Sequence, residues 1–419
     1  MRIKTLNIFK VFVVLIIFVY VRLFPINSFT NKINALITLF ISIVLLLKGR
    51  KNLPLILVFF FIFYINYSIV MGEYIIGGDL SIPLTQVKTE EIYGLTIRIL
   101  LMFMSILTIF YNGKSFELTK HKLEPKNNFL LYYLTLFVLI GILIFGVDRM
   151  ETTSYNVKIS PVYEYSKLLF LFLYYFSGKL NIRKILFKII MGAFILQDVY
   201  YGGRITSMQL LILFSITVWA EKLNFKKIIG YGFIGIVFNN IVGVYRQSYK
   251  LIGISVVNLI KNLFLNYFVF DTAIYAYYAS ATHVAASKVA SMGIRINSFY
   301  EFFKSIFGLS KSLSRDVTRL VANNYILNIG GGLIPTHFYF WLGWFGVFLI
   351  SFIVVLLINS LRFNDNEYHK ILFYAVVVNV PRWYLYSPNQ LFKGSLYIVT
   401  VLWGVYLIGQ KFTTKKRYL

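Results

Sequence analysis

KGRKNLPLILVFFFIFYINYSIVMGE, residues 48–73, decides the fold. Residues 53–72 carry no charge, and roughly 20 such residues are what a helix needs to cross the hydrocarbon of a bilayer. Lys48, Arg50 and Lys51 precede the run and Glu73 follows it, the polarity of a helix leaving a cytoplasmic face. The same pattern repeats outward in both directions. Apolar runs stand at residues 7–24, 33–47, 92–111, 129–147, 162–178, 185–201, 205–220, 228–245, 338–361, 371–380 and 395–409. Alternate connections between them are basic, as at Lys114, Lys120, Lys122 and Lys126, at Lys179, Arg183, Lys184 and Lys188, and at Lys222, Lys226 and Lys227. The connections at 73–91 and 148–158 fall on the opposite side. This alternation predicts an all-α polytopic membrane protein, one integral membrane domain over residues 1–419, with about twelve transmembrane helices and both termini in the cytoplasm. Residues 1–24 imitate a signal peptide but lack a small-x-small cleavage site, so they read as a retained first helix.

Composition agrees. The chain is 58% apolar, 19% aromatic and 14% charged, against about 25% charged in soluble domains. Its net charge of +26 sits in short runs between apolar segments, which excludes nucleic acid as the partner and leaves membrane lipids. There is no Cys, hence no disulfide or thiolate metal site. No Asp-x-Asp, paired His or nucleotide-binding loop occurs, so neither a metal nor a cofactor is expected.

One connection breaks the pattern. Residues 246–332 are expected outside the cytoplasm, yet hold nine basic and three acidic residues. Within them, 262–280 is apolar and aromatic with Asp271 at its middle, and reads as an interfacial or re-entrant helix. Residues 299–321 place Phe299, Phe302, Phe303, Ile306, Leu313, Val317, Leu320 and Val321 near helical spacing among Lys304, Lys311, Arg315 and Arg319. That is an amphipathic interfacial helix, broken near Gly308.

Four outward features suit chemistry. Gly202-Gly203-Arg204 presents a guanidinium from a flexible turn, fit for a phosphate or equally for a snorkelling anchor. Arg246 stands at the mouth of the long loop, with the same two readings. Gly330-Gly331-Gly332 permit close backbone approach, and Pro335 opens a helix with His337 in its first turn, where the dipole disfavours a charged imidazole. His337 is there either to hydrogen-bond a sugar hydroxyl or as a satisfied structural residue. Pro381-Arg382-Trp383-Tyr384 ends a short helix and leaves an Arg with aromatic faces, a sugar-and-phosphate notch or an aromatic belt. Arg98, Glu164, Lys167 and Asp198 are charges within spans. Asp198 reads first as a neutraliser of Arg204 or Arg98, and Asp271 either as a paired or water-exposed acid on an interfacial helix or as an acid in apolar surroundings suited to a general base.

These motifs, above all GGGLIPTHFYFWLGWFGVF at 330–348, resemble those of the bacterial oligosaccharide repeat unit polymerases, the O-antigen polymerase family. The resemblance implies a GT-C-like membrane protein whose long external loop contains interfacial helices. It implies metal-independent glycosyl transfer between undecaprenyl-pyrophosphate-linked oligosaccharides on the outer face of the bacterial cytoplasmic membrane, building lipopolysaccharide O-antigen, capsule or exopolysaccharide. A chain-length regulator protein would be a partner. The Arg and Gly with ten residues between them that often mark the family are matched imperfectly: Arg382 and Gly394 have eleven between them, and Ser215 stands where Arg204 would need its Gly. On this reading Arg204, Arg246 and Arg382 hold the donor pyrophosphate. His337 or Asp271 serves the acceptor hydroxyl, and Gly203, Gly331, Gly332, Trp383 and Tyr384 position substrate. The alternatives are a ligase with the same topology, or a lipid-linked oligosaccharide flippase. A transporter would show internal repeats and short loops throughout.

Overall fold

The computed structural model describes residues 2–77, 89–113, 122–147, 160–248, 267–326, 330–362 and 366–415, with isolated residues between 257 and 264. Expected features at Asp79, Lys88, Lys114, Lys120, Asp148–Lys158 and Lys250, and part of 262–280, lie outside the described residues. The described chain is helical and falls into two compact units. Six helices are long and apolar enough to cross a membrane: Ser28–Gly49, Leu53–Ile75, Glu90–Phe110, Phe225–Val244, Trp344–Leu361 and Gln390–Gln410. The chain is thus an α-helical, multi-pass membrane protein.

The first unit contains α1 (Arg2–Leu23), α2 (Ser28–Gly49), α3 (Leu53–Ile69, continued by a π turn Val70–Ile75) and α4 (Glu90–Phe110). Starts are set by side-chain caps: Asn27 and Thr30 form a capping box on α2, Asn52 caps α3 and Thr89 caps α4. α4 is central, 89% of its apolar stretch being buried against 39% for α2. α2 turns a polar stripe inward, Asn31, Asn34, Thr38 and Ser42, spaced three or four apart. Each finds partners: Thr38 and Ser42 donate to carbonyls four residues back, Asn31 donates to Glu90 O, and Asn66 Nδ2 donates to Ser42 Oγ. Gly49 and Gly94 lie where a Cβ would overlap Phe59 and Asn31, so these helices touch through small residues, as membrane helices do.

Arg98, in the middle of α4, is 2% exposed. Its guanidinium donates to Val21 O (2.8 Å), Phe24 O (2.9 Å) and Pro25 O (2.7 Å), closing the C-terminal end of α1. The charge is structural: it satisfies carbonyls that a helix end leaves open and complements its dipole. Arg98→Met is expected to cost on the order of 4 kcal/mol through the orphaned carbonyls, and Arg98→Lys to recover little, since one ammonium cannot span three acceptors. Protease cleavage between α1 and α2 reads the loss.

The long connection contributes α10 (Asp271–Val289), α11 (Met292–Ile306), a 3-10 turn Leu313–Arg315 and α12 (Val317–Asn324), all in the first unit. α10 takes up the second half of the stretch 262–280, read above as an interfacial or re-entrant helix. It begins at Asp271, and Ala273, Ala276, Ala279, Ala281 and Ala286 are all buried. Small side chains let it lie close to its neighbours, and Phe270 N donates to Ser68 Oγ on α3. The expected amphipathic 299–321 is two helices, and Phe302, Ile306, Val317, Leu320 and Val321 enter protein rather than lipid. The run 338–361 is likewise divided, into α13 (Ile334–Leu342) and α14 (Trp344–Arg362), by Gly343 at φ +63°.

The second unit holds α5 (Phe129–Phe145), α6 (Pro161–Phe176), α7 (Asn181–Tyr200), α8 (Ile205–Thr217) and α9 (Phe225–Ser248). It also holds α15 (Glu367–Val378), the π-helical Gln390–Tyr397 and α17 (Ile398–Lys415). Pro381 does not end a helix at a notch. It sits at the second position of a new one, α16 (Val380–Leu385), where its missing N–H costs nothing, and residues Arg382–Asn389 belong to the first unit.

Candidate functional site

The first unit brings two of the four sequence features together. Gly330, Gly331 and Gly332 have φ of +104°, +81° and +137°, conformations that a side chain rarely adopts. Their turn docks on the end of α16: Gly332 N donates to Leu385 O (2.9 Å), and a Cβ on Gly331 would stand 3.0 Å from that oxygen and 3.5 Å from Tyr386 Cδ1. Arg382, half-buried, stacks its guanidinium over Tyr386 at 5.1 Å. Pro335 starts α13 inside this turn and places His337 in the first turn, 1% exposed.

The surprise is a second imidazole. His283, on α10 and fully buried, lies with its ring centroid 4.5 Å from that of His337. Gly332 separates the two: its Cβ would fall 2.5 Å from His283 Cε1 and 3.1 Å from His337 Nε2. Two threonine hydroxyls flank the His283 ring. Thr318 Oγ1 donates to Gly331 O (2.7 Å) and lies 3.3 Å from His283 Nε2. Thr336 Oγ1 spends its own proton on Leu333 O (2.8 Å) and lies 3.5 Å from Nδ1. Among the described residues His337 Nε2 has no hydrogen-bond partner.

Both histidines lie outside the six candidate spans, and burial drives both towards neutrality. His337 is pushed down to about 4 by burial, against the pull of Asp316 and of the Gly332 and Tyr386 backbones. His283 is held well below its ordinary range by burial and by His337. The unfolded chain takes up the His337 proton near 6.5 and the folded chain only near 4, so stability present above 6.5 is lost as pH falls through that window, and His283 acts in the same direction. For His337 the loss is on the order of 3 kcal/mol. Thermal unfolding in detergent is expected to show a larger drop between pH 7 and pH 4.5 in the native chain than in a His283→Leu/His337→Leu double variant.

The other expected residues are placed apart. Asp271 is the first residue of α10, its carboxylate accepting from Thr272 N (2.6 Å). It stands twelve residues before His283, ~18 Å along the helix at 1.5 Å per residue, so it lies in the first turn of α10 and does not share the histidine cluster. Trp383 and Tyr384 are fully enclosed, Tyr384 OH donating to Asn66 Oδ1 (2.8 Å). Arg204 belongs to the second unit and is 7% exposed; its Nη1 lies 2.7 Å from where a Cβ on Gly243 would be. Asp198 does not read as a base there. Its Oδ2 accepts from Ser207 N (2.8 Å) and Ser207 Oγ (2.7 Å), capping α8, and Gly203 is glycine because a Cβ would overlap that carboxylate. Arg246 lies in the last turns of α9, and its side chain is outside the described residues.

Sequence reading missed His283 and a buried amide cluster in the second unit. In that cluster Gln209 Nε2 donates to Asn379 Oδ1 (2.7 Å), and Asn379 Nδ2 donates to Gln390 O (2.6 Å) and Ser395 Oγ (3.0 Å). Only spacing along single helices is visible in a sequence, and both clusters join residues from several. No protein-family model, curated protein or solved structure matches the chain.

Proposed function

We propose that the chain is a membrane-embedded glycosyltransferase that polymerises oligosaccharide repeat units carried on a polyprenyl pyrophosphate, with about twelve spans and its long connection on the outer face of the cytoplasmic membrane. The observation that carries the reading is the convergence, in the first unit, of a neutral buried imidazole and an arginine on one glycine turn. In the proposed reaction His337 Nε2 accepts the proton of an acceptor hydroxyl as its oxygen bonds to the anomeric carbon of the donor. The bond from that carbon to phosphate oxygen breaks, and the leaving pyrophosphate takes its charge to Arg382, a bidentate donor suited to phosphate. Gly331 and Gly332 hold the two groups in register. The reading rests on the first unit alone. Deleting the gene is expected to leave surface glycan carrying a single repeat unit, seen as one band in place of a ladder on a gel. Complete loss of surface glycan would instead favour a flippase or a ligase.

A further inference from the structure

α11 has two apolar faces, and only one is used by the protein. Phe302 packs on Trp341 of α13 at 4.6 Å between ring centroids, and Trp341 Nε1 donates to Ser298 Oγ (3.0 Å). The other face is a stripe of Met292, Ile296, Tyr300, Phe303 and Phe307, spaced four, four, three and four residues apart, which is one side of a helix. These side chains are between 49% (Ile296) and 60% (Tyr300) exposed. Leu309 and Leu313 extend the exposed apolar surface beyond the helix.

Its position says what covers it. Arg295 donates from α11 to Phe340 O and to Tyr339 O (3.3 Å), carbonyls in the last turn of α13. Trp344 then begins a candidate membrane span. α11 is therefore fastened at the end of a membrane crossing, the level of the headgroups. Residues 292–324 carry five cations (Arg295, Lys304, Lys311, Arg315, Arg319) against two acids (Glu301, Asp316), and Lys304 lies over the Tyr300 ring at 4.9 Å. An apolar stripe with tyrosine and cations at its rim is the composition of a helix lying in a membrane interface, with a preference for anionic lipid.

We infer that the Met292, Ile296, Tyr300, Phe303 and Phe307 stripe inserts into the headgroup–acyl boundary of one anionic leaflet and holds α13, with His337, at the bilayer surface. This stands independently of the proposed reaction. The chain has no cysteine, so single cysteines at Tyr300, Phe303 and Phe307 on the stripe, and at Gly293 and Asn297 off it, can each carry a spin label in the full chain. In nanodiscs of phosphatidylcholine with one quarter phosphatidylglycerol, the ratio of oxygen to nickel-chelate accessibility is expected to be about tenfold higher on the stripe than off it. Immersion is expected to be shallower in phosphatidylcholine alone. Equal ratios at all five positions overturn the inference. So does protection that persists in detergent with dipolar coupling between labels, which would assign the stripe to a second copy of the chain.

Discussion

His337→Gln is expected to abolish polymer while the protein stays folded in the membrane. Glutamine keeps much of the volume and a hydrogen-bonding end but cannot take a proton, and general-base catalysis is worth about 10²–10⁴ in rate. Burial keeps the imidazole neutral, and its Nε2 is unpartnered among the described residues. In the native chain the rate is expected to fall as pH drops through about 4, where His337 takes up its proton. Loss of rate at all pH values in the variant, with an unchanged thermal midpoint at pH 7.5, separates catalysis from folding. Near-native polymer in His337→Gln removes the imidazole from the reaction. Arg382→Ala is the companion measurement, expected to remove polymer through the leaving group.

Gly332→Val is expected to be the most damaging single change in the glycine turn. Its φ of +137° is a conformation for glycine, costing another residue about 1–3 kcal/mol, and overpacking against His283 and His337 adds a similar amount. The total is about 4 kcal/mol. Gly330→Val is the control, because nothing lies within 4 Å of its Cβ and only backbone strain remains. Hydrogen exchange of Leu333 N, which donates to Ser280 Oγ (2.8 Å), reports the turn directly. Protection is expected to vanish in Gly332→Val and persist in Gly330→Val; equal loss in both would mean the histidine packing contributes nothing.

The six helices long and apolar enough to cross a membrane were legible in the sequence because lipid imposes a composition: α3 and α4 are uncharged or nearly so over a bilayer's width. α10 was not, since its burial rests on size rather than hydropathy, and a run such as AYYASATHVAAS reads as neither span nor surface. Pro335 announced the helix that carries His337, because proline at the first turn is a local rule. The same rule applies at Pro381, yet there an early stop and a new start look alike in one dimension. Arg98 illustrates the opposite risk. A charge inside a span invites a functional reading, and only the three carbonyls at the end of α1 reveal that it holds two helices together. His283 could not be paired with His337 from spacing, because their meeting depends on α10 and α13 packing side by side.

The central claim is tested most directly with the purified full chain in liposomes of phosphatidylcholine and phosphatidylglycerol, supplied only with repeat units on undecaprenyl pyrophosphate. The account predicts a ladder of lengthening glycans and release of undecaprenyl pyrophosphate, both absent with His337→Gln. An unchanged donor, or transfer only when a different lipid acceptor is added, would contradict it.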